Sequence, residues 1–441
     1  MKKPTIVALL IFGLFGTALI GLSVATVRYG NIEKPHLGSF PIPQARFVNQ
    51  TIAPNWQIKL DGEVKPLPAY FQKSLEWLSK AQSESGGWGA GMHAMQGVTD
   101  PKAVQVDPAT TAFVAMALLR TGSTLNSGPY SQELMKATNC LLQMVSDAPQ
   151  NHVNITTISG TQPQQKLGQN IDVAMTVQYF ARLMPYLQDD AVLAEKVGAA
   201  MDFCIQRLQG TQSADGSWNT SGWAPVLNSA MANNALELSQ QVGREVDVDA
   251  LERSRHYQSD NVSSEDGGVA TDRAAGIQLY ALASAQRATA NEAQEVKKAF
   301  SDANIAAPAA SMDDAVKVME EKGYSSKDAK RMAKAYVSNQ KAGEMLQRDD
   351  VLSGFGNNGG EEFLSYMMTS ESLVATEDAE EWDKWHKRMN GLFEKIQNPD
   401  GSWSGHHCIT SPVFCTAAVI MTLGADRDAL VLKTEKKEKK N

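Results

Sequence analysis

Apolar residues between 68 and 82 recur as Tyr70, Phe71, Leu75, Trp77 and Leu78, the spacing of an amphipathic helix. The next regular stretch, Thr110 to Leu119, is almost entirely apolar and predicts a helix buried on every side. This alternation runs to the end of the chain. Amphipathic helices are predicted near 131–146, 190–212, 246–258 and 379–397, and buried ones near 170–185, 224–241, 272–289, 361–375 and 411–424. Residues 290–350, charged and rich in Ala and Lys, exceed one helix and read as a fifth outer helix with an insertion. Asp107-Pro108 and Ser411-Pro412 each place a capping side chain before a first-turn proline. Six amphipathic helices paired with six buried ones predict an all-α fold, an (α/α)6 toroid, over residues 68–425.

One turn recurs with unchanged internal spacing. Leu78, Gln82, Gly86 and Trp88 match Leu208, Gln212, Gly216 and Trp218, and again Phe393, Gln397, Gly401 and Trp403. Each copy ends an outer helix and precedes an inner one, so a helix-pair repeat is the primary reading. These copies resemble the Gln-Trp repeats of the squalene–hopene cyclase and protein prenyltransferase β-subunit superfamily. The resemblance implies that Gln82, Trp88, Gln212, Trp218, Gln397 and Trp403 brace the barrel and do not catalyse, the glutamine capping a neighbouring helix and the tryptophan packing on an outer one. It is strong at three repeats and weak at the other three. The superfamily's chemistry is harder to find. No Asp-x-Asp-Asp acid and no Gly-Cys-Gly-Glu-Gln thioester occurs, and aromatics make up 7% of the chain, little for a carbocation cavity. A terpenoid cyclase-like or prenyltransferase-like enzyme is therefore the weakest expectation, and fold alone licenses neither activity.

The N-terminus changes the expected compartment. Lys2 and Lys3 precede an uncharged, mostly apolar run, Thr5 to Val27, closed by Arg28. That length suits a transmembrane anchor with the body on the outer side of the membrane. Ser23-Val24-Ala25 offers a cleavage site for the rival reading, a signal peptide. Either exports the body, to a periplasmic or extracellular position. Residues 1–28 are thus the anchor or signal, 29–67 a proline-rich tether and 426–441 a Lys-rich tail. The net charge of −8 and the lack of a basic stripe argue against nucleic acid as a partner.

In a ring of helix pairs every outer-to-inner loop ends at an inner-helix N-terminus, and these ends share one mouth. His93, Asp107, Asp172, Asp266, Asp272, Glu361, Glu362, His406, His407 and Cys408 are the chemistry-bearing residues so gathered. His406-His407-Cys408 is the densest set. It suits a metal, zinc first, completed by a carboxylate. A Cys408–Cys415 disulfide and a nucleophilic Cys–His pair are the open alternatives. Glu361 and Glu362 follow two glycines at a helix start and could act as an acid–base pair, or simply favour the first helical turn. Gln165 and Lys166, in the polar stretch 162–172, join Asp172, Asp107 and His93 as candidate ligand-binding residues. Two functions stand at this stage. The first is a cell-envelope binding or scaffold protein that takes a glycan, peptide or lipid at the mouth. The second is an extracytoplasmic metal-assisted hydrolase or glycan lyase built on His406, His407, Cys408, Glu361 and Glu362.

Overall fold

The computed structural model describes residues 64–218, 222–263, 267–305 and 311–428, all within one compact unit, 52–441. The outer helices are α1 (Phe71–Ala81), α3 (Ser131–Ser146), α6 (Ala191–Gly210), α8 (Val248–Ser259), α11 (Ser326–Met345) and α14 (Ala379–Ile396). The inner ones are α2 (Pro108–Arg120), α5 (Ile171–Leu183), α7 (Pro225–Gln241), α9 (Gln278–Asp302), α13 (Gly360–Ala375) and α15 (Pro412–Leu423). Three short helices complete the set: α4 (Gln162–Lys166), α10 (Met312–Glu321) and α12 (Asp349–Leu352). Among the described residues there is no strand, only two isolated bridges, Met92–Thr161 and Val262–Val269. Helix α2 packs on α5, α5 on α7, α7 on α9, α9 on α13, α13 on α15, and α15 back on α2. In α2, α5, α13 and α15 every residue is buried, as the nearly continuous apolar runs of α2 and α15 require, while α5 and α13 also bury Asp172, Arg182, Glu361, Glu362 and Glu371.

The expected class, a toroid preceded by a transmembrane anchor, needs correction. Among the described residues the chain is an all-helical body, and no helix is long and apolar enough to cross a membrane. The most apolar inner helix, α15, has 12 residues, about 18 Å at 1.5 Å each, against a hydrocarbon layer of about 30 Å. The longer α7 and α9 carry Asn, Arg and Glu. The run 5–27 lies outside the described residues.

The three repeated turns make the same contacts. Gln82 Nε2 donates to Gly86 O at 2.7 Å and to Glu133 O at 2.9 Å, in the first turn of α3. Gln212 Nε2 donates to Gly216 O and to Ala250 O of α8, and Gln397 Nε2 to Gly401 O and to Ser74 Oγ of α1. The indoles of Trp88, Trp218 and Trp403 donate to Leu78 O, Leu208 O and Phe393 O at 2.8, 2.7 and 2.9 Å. The apolar residue, glutamine, glycine and tryptophan are therefore one hydrogen-bonded unit that ties α1 to α3, α6 to α8 and α14 to α1. In the third copy the last outer helix is tied to the first. The glycines need their missing Cβ: Gly216 has φ +88°, and a Cβ there would stand 2.2 Å from Arg253 O. Gly216→Ala is expected to cost about 1–3 kcal/mol. A urea midpoint unchanged from the parent protein would contradict that.

The stretch 290–350 differs from the expected outline. Helix α9 runs on to Asp302, and its outer half packs with α10 and α11 around Val296, Phe300, Met319, Met332 and Tyr336 as a second small core. The body also reaches past residue 425. Asp426 accepts from Lys65 N at 2.8 Å, and Arg427 donates to Lys65 O, so the end of the tether is docked on the last turn.

Candidate functional site

Cross-loop contacts locate the mouth. Asp172 Oδ1 accepts from Ala109 N, Gln162 Oε1 from Thr410 N, Glu362 from the Tyr280 hydroxyl, and Lys166 O from Trp223 N. The inner-helix N-termini thus converge at one end. Their C-terminal halves converge at the other, where Arg120, Arg182 and Arg287 meet Glu237, Glu371 and Asp428.

That second end is filled. Glu371 is fully buried and pairs with all three arginines, at 2.9 Å to Arg182 and 3.1 Å to Arg287. Asp428 pairs with Arg120 at 2.7 Å and Arg182 at 2.5 Å. Burial pushes the Glu371 and Asp428 carboxyls up, but the surrounding arginines outweigh it and hold both below the usual carboxylate range. Three cations and three anions close the floor of the ring.

At the mouth the carboxylates differ in how many donors they already accept. Asp107 caps α2 through Thr110 N at 2.8 Å and takes Ala90 N and Thr110 Oγ1 on its other oxygen. Asp172 takes Ala109 N, Asn154 Nδ2 and Gln164 Nε2. Burial raises both carboxyls, Asp107 to about 7 with Asp172 adding to the rise. Glu362 accepts from Tyr280 Oη at 2.5 Å, Phe355 N at 3.1 Å and Gly359 N at 2.9 Å. These three are saturated and fix loops. Glu361 is different. It is buried, its Oε2 accepts from Ile409 N at 3.2 Å, and its Oε1 has no hydrogen-bond partner. Burial first, then the neighbouring Glu362, push it up to about 8, so it is mostly a neutral acid at pH 7.

The expected metal set does not form. His406 is exposed, and its backbone N–H donates to Asn358 O. His407 Nε2 donates to Asn357 O at 2.6 Å and lies 3.6 Å from Glu362. The Cys408 thiol instead lies beside Glu361. Three successive residues in an irregular loop point three ways, and among the described residues no three His, Cys, Asp or Glu groups could hold a metal. The disulfide reading is also overturned: Cys408 and Cys415 are both free, and the Cys415 thiol turns to Ile409 O. Nor does a nucleophilic thiolate fit. Burial, then the Glu361 charge, push the Cys408 thiol up to about 12. Of the expected Glu361/Glu362 pair, Glu362 has both oxygens accepting hydrogen bonds, and Glu361 keeps one oxygen without a partner.

Lys166 does join Glu361 and Cys408, and His93 adjoins Lys166. Burial, then Lys166, lower His93, and Lys166 also acts on the Glu361 and Cys408 acidities. Gln165 and Asp272 are exposed and stand apart, and Asp266 lies outside the described residues. Three residues escaped the sequence reading, Trp223, Phe355 and Gln96, while Gln162 lay in the candidate stretch 162–172 without being singled out. Trp223 and Phe355 are 37% and 55% exposed, with ring centroids 5.7 Å apart. Phe355 also meets His407 at 5.2 Å, and Lys166 lies over the Trp223 ring. Gln162 and Gln96 hold the 408–411 loop, through Thr410 N and Cys408 O. The available signal was a lone aromatic in each of two glycine-containing loops before inner helices, Gly222-Trp223 and Gly354-Phe355-Gly356.

No protein-family model matches the chain, and no curated protein matches it either.

Proposed function

We propose that this chain is a binding protein that takes a glycan at the mouth of its inner-helix ring. The observation that carries the reading is the exposed aromatic pair Trp223–Phe355, continued by the half-buried His407 and flanked by the Lys166 ammonium over the Trp223 ring. A sugar offers an apolar ring face and a polar rim, and such a site serves both. Binding is favoured over hydrolysis because, among the described residues, Glu361 is the one buried mouth carboxyl that keeps an unpartnered oxygen, whereas glycoside hydrolysis takes two working carboxyl groups. The likeness of the repeated turns to Gln-Trp repeats is taken as one of architecture, and no activity is carried over from it.

The body is assigned to the outside of the cytoplasm on the sequence of residues 1–28 alone. Proteolysis of cells with an opened outer layer should reach it, and full protection until lysis would refute that assignment.

Phe355→Ala tests the binding reading, since this side chain is exposed and its loss leaves the core intact. Against a panel of soluble oligosaccharides the full chain should bind at least one, and Phe355→Ala should weaken that binding about tenfold or more. Equal binding by the variant, or no binding across the panel, would overturn the proposal.

A further inference from the structure

We propose that the glycan bound at this mouth is an acidic one, and that its carboxylate is received between Gln162, Glu361 and Lys166. This rests on the glycan-binding reading and adds the chemical class of the sugar.

Gln162 is wholly buried, and its amide orientation is fixed. Oε1 accepts from Thr410 N at 2.6 Å, Ser411 N at 3.2 Å and Thr410 Oγ1 at 3.2 Å. Two backbone N–H groups can only donate, so the atom facing them is the oxygen, and the other, Nε2, is a donor. That Nε2 is buried and has no partner. Glu361 holds the adjoining amide, Ile409 N, and leaves its own Oε1 unpartnered. The two side chains therefore grip three consecutive amides, 409 to 411, and each leaves one atom over beside the same short loop. Buried polar atoms left without partners are costly, and a ligand that supplied acceptors to both would repay that cost.

Charge selects the ligand's sign. Glu361 is mostly neutral at pH 7, so its spare oxygen can carry a proton to donate. Lys166 forms no ion pair among the described residues other than its contact over Trp223. An amide N–H, a carboxylic O–H and an ammonium are all donors, and together they suit a planar carboxylate. Among the described residues no arginine joins Gln162, Glu361 and Lys166 to form the fork that favours phosphate. The loop is also held in a costly shape: Cys408 has φ +57°, with its carbonyl taken by Gln96 Nε2 and its thiol beside Glu361. Non-glycine residues in that region are kept where the surroundings fix them, commonly at ligand sites.

Protonation gives the test its sign. The titratable groups facing Glu361 are Glu362 on its own helix, Tyr280 from α9, Lys166 from α4, Cys408 from the loop and Cys415 from α15. A carboxyl raised to about 8 keeps its proton below that pH and loses it as pH rises through it. Bound carboxylate would then face ionised Glu361, so affinity should fall about tenfold per pH unit above 8.

The experiment is calorimetric titration of the full chain with uronic-acid oligosaccharides, their neutral methyl esters, inorganic phosphate and a peptide with a free C-terminal carboxylate. Expected are binding of the acidic sugar at pH 6.5, at least tenfold weaker binding of its ester, and binding of the acid weakened about tenfold at pH 9. Glu361→Gln keeps an acceptor for Ile409 N and gains a permanent donor, so it should bind at pH 6.5 and still bind at pH 9. Lys166→Met should lose at least tenfold. Equal binding of acid and ester would sink the acidic-ligand inference while leaving the glycan reading standing. Preference for phosphate or for the peptide over every sugar would overturn the inference. Absence of all saccharide binding would overturn the glycan reading itself. If Lys166→Met fails to fold, the pH profile of Glu361→Gln against the parent decides alone: parallel profiles contradict the inference.

Discussion

Glu371→Ala should destabilise the body by about 3–5 kcal/mol, enough to unfold a domain of ordinary stability at room temperature. The carboxylate it removes pairs with Arg120, Arg182 and Arg287, each 3% exposed or less. Three guanidinium groups would then share Glu237 and Asp428 in a place that water does not reach. The loss is that of breaking a buried charge set, which exceeds what the set contributes over a well-packed apolar replacement. The pH dependence follows the depressed acids: stability contributed by Glu371 and Asp428 is present above the usual carboxylate range and is lost as pH falls below it. Urea unfolding of the parent and of Glu371→Ala at pH 7 measures the effect. A difference under about 1 kcal/mol would mean that Glu371 is not what holds the three arginines in place.

Trp403→Ala should cost a similar amount, about 3–5 kcal/mol. Its indole is fully buried among Tyr70, Phe71 and Phe393, with ring centroids 5.9, 6.1 and 6.5 Å away, and donates to Phe393 O. Tyr70 and Phe71 belong to the start of the body and Phe393 to its last outer helix. Loss of this side chain removes packing and opens the seam where the chain's two ends meet. The matching seam bond is Gln397 Nε2 to Ser74 Oγ at 3.0 Å. Cooperative unfolding monitored by circular dichroism checks the prediction, and a midpoint within error of the parent would count against it.

Most of the fold was legible because helix burial is written locally. The run Thr110–Leu119 has no polar face to give to solvent, so its helix had to be inner, and the structure buries all of α2. The glutamine–glycine–tryptophan turns were legible because one hydrogen-bonded unit repeats three times. The length of α9 was not. Lys297 and Lys298 made its second half read as an outer element, yet Ala293, Val296 and Phe300 keep a buried stripe there. The floor of the ring was missed because each charge looks like an isolated exception in an apolar helix. Arg120, Arg182, Glu237, Arg287 and Glu371 become one network only when five helices converge, and Asp428 lies beyond the expected end of the body.

The site was legible in its place and only partly in its members. Topology alone brought Glu361, Cys408, Lys166 and His93 together. It could not say which groups were already satisfied. Glu362, Asp107 and Asp172 look like chemistry in the sequence and are anchors for loops in the structure. His406 and His407 adjoin Cys408 in sequence, but the loop sends them to solvent and to Asn357 O. Gln162, an unremarkable amide in a polar stretch, holds a loop 248 residues away and keeps a spare donor.

Hydrogen exchange of the full chain with and without a bound acidic oligosaccharide tests most directly whether the mouth is the binding face. Added protection is expected in the loops 353–359 and 405–411 and around Gln162–Lys166, with the surface of α14 unchanged. Protection confined to α14 or any other outer helix, with the mouth loops exchanging as before, would contradict it.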